Sequence, residues 1–123
     1  MAQYAFLVGT APQDYRQKRL VNFYNNLKSE YSFEEKDIYI FPNGVDEILL
    51  EYALINAIEK KPTKILLYIC ANSDISIEDI IRKSVIEKYG DMSDKAGIDM
   101  RVVYDCDDEL VSEDALGWEK VAQ

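Results

Sequence analysis

Six apolar residues stand in an unbroken row from Ile65 to Cys70, between Pro62-Thr63-Lys64 and Ala71-Asn72-Ser73. A strand with one wet face alternates apolar and polar side chains. A short run with no alternation needs cover on both faces, which a parallel sheet flanked by helices provides. Tyr4 to Val8 is a second such run and ends at Gly9. Lys64–Cys70 and Tyr4–Gly9 are therefore expected to be buried strands of such a sheet. Asp37 to Phe41 is a third strand candidate, stopped by Pro42-Asn43-Gly44. Ile98 to Tyr104 is the fourth, interrupted by Asp99 and Arg101.

Helical spacing fills the intervals. Thr10, Pro12 and Gln13 form a helix start, and Leu20, Phe23, Tyr24, Leu27 and Tyr31 then recur on one face. A second helix is expected from about Val45 to Lys60, with Asn43 or Gly44 near its start. Its apolar set, Ile48, Leu49, Tyr52, Ala53, Ile55, Ala57 and Ile58, is broad enough to predict thorough burial. A third helix is expected from Ser76-Ile77-Glu78-Asp79 to about Tyr89, followed by a polar loop from Gly90 to Gly97. The tail after Asp108 reads as a short helix that docks Trp118. Strands alternating with helices predict one α/β domain over residues 1–123: three α/β/α layers around a short, mostly parallel four-stranded sheet, with right-handed crossovers.

The net charge of −9 is unevenly placed. Residues 1–45 carry five basic and five acidic side chains, and residues 46–123 carry nine and eighteen. An acidic surface repels phosphate backbones and anionic lipid, so neither nucleic acid nor membrane is expected as a partner. No basic, apolar leader opens the chain, and no run approaches the length of a membrane span. The two cysteines, Cys70 and Cys106, belong to no CxxC pair and have no histidine to join. Reduced thiols in a cytoplasmic setting are the expectation.

Ligands of open parallel sheets bind beyond the carboxyl ends of the strands. Four segments meet there: Gly9–Asp14, Phe41–Gly44, Ala71–Ser76 and Asp105–Glu109. The first lacks the glycine spacing of a phosphate cradle, though a helix N-terminus behind it attracts anions, with Thr10 and Arg16 at hand. The last, Asp105-Cys106-Asp107-Asp108-Glu109, crowds carboxylates. Full solvation or a cation relieves such repulsion, and Mg²⁺ is the hard cation that Asp105, Asp107 and Asp108 would suit. The same acids disfavour a Cys106 thiolate.

Three segments stand in a telling order: Ala5-Phe6-Leu7-Val8-Gly9-Thr10 with Tyr15-Arg16-Gln17, then Phe33-Glu34-Glu35-Lys36-Asp37-Ile38-Tyr39-Ile40-Phe41, and then the strand ends at Cys70 and Cys106. In this order they resemble the caspase–haemoglobinase superfamily of cysteine peptidases, and within it the legumain-like branch. The resemblance implies a strand order of 2-1-3-4. It sets Cys106 in the place of the nucleophile and Asn72 in the place of the histidine base. The family's His-Gly is replaced by Ala71-Asn72-Ser73, and no histidine occurs anywhere in the chain. Further strands complete the family's specificity pocket, and this chain stops before them. Flavodoxin-like and Rossmann-like sheets share the same strand pattern.

A thiol nucleophile needs a base within hydrogen-bond reach, and Asn72 cannot accept a proton. The leading expectation is thus a non-catalytic binding or protein-interaction module, a degenerate caspase-like domain. Thr10, Arg16, Asn72 and Asp105 are its candidate ligand contacts, and its partner is another protein or a second copy. Two alternatives stay open. One is a Mg²⁺-dependent enzyme acting on a phosphorylated small molecule through Asp105, Asp107 and Asp108. The other is a structural subunit of a larger assembly, joined through exposed sheet edges.

Overall fold

The computed structural model describes residues 2–9, 14–42, 44, 46–70 and 82–105, with the backbone alone for 14–17 and 105. The strands are β1 (Gln3–Gly9), β2 (Ile38–Phe41), β3 (Lys64–Cys70) and β4 (Asp99–Asp105). The helices are α1 (Asp14–Glu30), α2 (Glu47–Glu59) and α3 (Lys83–Lys95), with a 3-10 turn at Glu35–Asp37. All pairings are parallel, in the order β2-β1-β3-β4. This is the order of doubly wound flavodoxin-like sheets in general, so it does not single out the peptidase superfamily.

The two unbroken apolar runs are the two central strands. From Ile65 to Cys70, and from Tyr4 to Gly9, every residue is buried. Their side chains alternate between two cores. Tyr4, Phe6, Val8, Ile65, Leu67 and Ile69 pack with Leu50, Leu54, Ala57 and Ile58 of α2 and with Val85 and Tyr89 of α3. Ala5, Leu7, Leu66, Tyr68 and Cys70 pack with Leu20, Phe23 and Leu27 of α1. One helix therefore covers one face and two cover the other, the arrangement that right-handed crossovers give for this strand order. Asp99 and Arg101 do not break β4, because they pair with each other at 2.8 Å on an edge strand and remain partly exposed.

Helix boundaries differ from the sequence expectation in α2 and in α3, and so does the burial of α2. α2 begins at Glu47, capped by Asp46, whose Oδ1 accepts the Ile48 N–H at 2.8 Å. Gly44 instead forms an isolated bridge to Pro42 at φ +86°, so the chain is not yet helical there. α3 runs through Gly90 to Lys95, where a loop was expected. Its buried face of Val85, Tyr89 and Ser93 continues at helical spacing past the glycine, and packing outweighs the helix cost of Gly90, about 1 kcal/mol. α3 itself starts at Lys83, after an extended Arg82, so the single helix expected from Ser76 to Tyr89 is interrupted there; Ser76–Asp79 and the tail helix with Trp118 lie outside the described residues.

The third difference is in burial. α2 buries Leu50, Leu54, Ala57 and Ile58 but leaves Ile48, Leu49 and Tyr52 exposed at 62%, 64% and 63%. Two helices share the sheet face, so α2 has only its inner stripe and flanks to bury. No helix among the described residues is long and apolar enough to cross a membrane.

Candidate functional site

Register aligns the strand ends where the sequence reading placed a site. Val8 pairs with Phe41, Gly9 with Cys70, and Cys70 with Asp105. The approach is close at Gly9. A Cβ there would lie 2.7 Å from Leu20 Cδ1 and 3.2 Å from the Pro42 carbonyl oxygen. Cys70 is a fully buried thiol outside any disulfide, on the face that α1 covers. Arg16 falls in the first turn of α1 and Asp105 at the last residue of β4. The side chains of both, and the whole of Thr10, Asn72, Cys106, Asp107 and Asp108, lie outside the described residues. So does the question of metal at the acidic segment. Among the described residues no three Cys, Asp or Glu side chains gather as a metal site requires.

A formed cleft lies elsewhere, between α2 and the β1–β2 side of the sheet. It measures about 190 Å³ and is lined by Tyr4, Phe6, Tyr39, Phe41, Ala53, Asn56, Ala57 and Lys60. Its cause is side-chain size. Ala53 and Ala57 are the residues α2 turns toward the edge strand, and two methyl groups cannot fill the gap. Aromatic rings floor it: Tyr39 stacks on Phe6 with centroids 5.3 Å apart and planes 13° apart. Lys60 places its Nζ 5.6 Å from the centroid of the Tyr4 ring. Asn56 and Lys60 are four residues apart on one helix, so their side chains meet on the same flank.

The outer face of α2 adjoins this cleft. Ile48, Leu49 and Tyr52 form an exposed apolar surface, with Leu49 one turn before Ala53 of the cleft wall. Tyr39 and Ile40 of edge strand β2 are also exposed. The helix itself is held firmly. The Arg82 backbone N–H and Nε donate to Glu47 Oε2 and Oε1 at 2.9 and 2.8 Å, tying the start of α3 to the start of α2. Further along, the Tyr89 hydroxyl donates to Glu51 Oε1 at 3.0 Å. Burial first, and then that bond and the charge of Glu51, push the Tyr89 hydroxyl up to about 12.

Sequence reasoning missed both features. The signal for the outer face was present: an apolar set spanning positions 48, 49, 52, 53, 55, 57 and 58 is wider than one buried stripe needs. The cleft depends on which residues face Ala53 and Ala57 across the sheet, and no local pattern carries that. No family model matches this chain, and no curated protein or solved structure matches it.

Proposed function

We propose that this chain is a non-catalytic protein-interaction module, a degenerate caspase-like domain, that binds an apolar segment of another protein on the outer face of α2. The carrying observation is the exposure of Ile48, Leu49 and Tyr52 on a well-anchored helix. A rigid apolar surface of this kind marks a contact site on soluble domains. Charge selects the occupant. From Asp46 to Lys60 the helix segment carries Asp46, Glu47, Glu51 and Glu59 against Lys60 alone. A partner with Lys or Arg around its apolar centre complements that rim, whereas a second copy would bring acids against acids. The absence of histidine supports the non-catalytic part, and the caspase-like part rests on the order of motifs in the sequence.

Photo-cross-linking tests this reading. p-Benzoylphenylalanine is placed at position 52, and at exposed position 87 as a control, and the protein is irradiated in native cell extract. The expected result is a product specific to position 52, whose cross-linked peptide is apolar with basic flanks and whose yield falls at about 0.5 M salt. Equal yields from both positions, or a product between two copies of this chain, overturn it. A rise of several degrees in melting temperature with Mg²⁺ would favour the metal-dependent enzyme instead.

A further inference from the structure

We propose that the cleft beside α2 binds a small, free aromatic carboxylate one ring in size. This site is separate from the outer face of α2 and stands whether or not that face binds a protein. Volume sets the scale. Drug-sized ligands occupy roughly 300–1,000 Å³, while a cavity of roughly 150 Å³ accepts benzene. At about 190 Å³ the cleft holds one substituted ring. Shape favours a ring, since the stacked pair Phe6 and Tyr39 lines the slot together with the methyl groups of Ala53 and Ala57.

Charge decides the sign of the ligand. Four aromatic rings around a slot would by themselves suit a cation. Here Lys60 already holds an ammonium over the Tyr4 ring, so a second cation would meet repulsion at the place it would prefer. Lys60 is the one charged residue among those lining the cleft. Its neighbour Glu59 precedes it by one helix position and so faces about 100° away. The carbonyls at the end of α2 oppose an anion, but the Lys60 N–H takes up those of Ala57 and Ile58, and the Lys61 N–H also donates to Ile58. What remains is one ammonium and the Asn56 amide, both able to donate to a single carboxylate. An aromatic side chain of a protein would enter ring first and bring no carboxylate to that pair, so the free small molecule is the better fit.

The probe is 4-hydroxyphenylacetate, titrated into the ¹⁵N-labelled protein while amide shifts are followed. Two other probes keep the ring and change the charge: 4-hydroxyphenylacetamide is neutral and tyramine is cationic. The expected result is saturable shifts at Ala53, Asn56 and Ala57 with a Kd near 1 mM or tighter, as about eleven heavy atoms allow. Affinity should fall at least about fivefold for the amide and for Lys60→Gln, an exposed substitution that the fold tolerates. Ala53→Leu should abolish binding by filling the slot. No saturable shift, equal binding of acid and amide, undiminished binding by Lys60→Gln, or tightest binding of tyramine would each overturn the proposal.

Discussion

The Tyr89 hydroxyl sits at the seam between α2 and α3, on a side chain that is 1% exposed, and donates a hydrogen bond to Glu51. Its pKa is raised to about 12, against an ordinary value of 10.0. A group whose pKa rises on folding keeps its proton more tightly in the native state. Its contribution is therefore complete below the unfolded value near 10.0 and disappears as pH climbs through about 12. Tyr89→Phe should cost about 1–2 kcal/mol at pH 7 through the lost charge-assisted bond. It should also flatten the decline in stability between pH 10 and 12, because no proton is then lost at this position. Urea titrations of both proteins at pH 7, 10 and 11.5 measure each effect, and parallel declines would contradict it. Nothing near Tyr89 in the sequence announces this bond, since its acceptor lies 38 residues away. Gly9 is similar. The sequence marks it as the end of a strand, but the crowding by Leu20 and Pro42 exists only once α1 and β2 have folded back on β1.

Helix ends follow local chemistry when a polar cap decides them and tertiary chemistry when packing does. α2 starts at Asp46 because its carboxylate can reach the Ile48 N–H, and an Asp before an apolar run is a signal that the chain itself displays. α3 continues about one turn and a half beyond Tyr89, although Gly90 is a stop signal in the sequence. The true stop is Gly97, which adopts φ +74°. There the Ile98 N–H donates to the Ser93 carbonyl at 2.8 Å and the Gly97 N–H to that of Asp94 at 3.0 Å, the paired bonds of a Schellman turn. Ile98 then turns into the core, directly ahead of β4. A Cβ at position 97 would meet nothing within 4 Å, so substitution there is penalised by backbone conformation alone. Gly97→Ala should lower stability by about 1–2 kcal/mol, the cost of a left-handed L-residue, and Gly97→Asn should recover part of it. The urea midpoint should move with an unchanged slope, and an unmoved midpoint would mean that this turn rearranges freely.

At the scale of the whole molecule, the sheet was legible and the cleft was not, for the same reason. A central parallel strand must be apolar on both sides, so Ile65–Cys70 and Tyr4–Gly9 display their place in the fold one residue at a time. A surface gathers residues from separate elements, as the cleft does from Tyr4, Tyr39 and Lys60, and only the assembled sheet brings them together. That difference in assembly also governs the chemistry of Cys70. Its strand is paired with β1 on one side and β4 on the other, and its side chain lies in the core under α1 with no exposed surface. A reagent can reach this sulfur only if the sheet parts from α1, which removes most of what holds the domain together. Alkylation of Cys70 in native Cys106→Ser protein should therefore be at least about a thousandfold slower than that of a free thiol, reflecting a rare open state. Its logarithmic rate should rise with urea along the slope of global unfolding, because the same surface is exposed in both processes. Mass spectrometry of iodoacetamide-treated samples across a urea series reads both quantities. A rate that is fast, or that does not respond to urea below the unfolding transition, would show that the carboxyl end of β3 opens locally. The sheet would then be less cooperative than its two-sided burial implies.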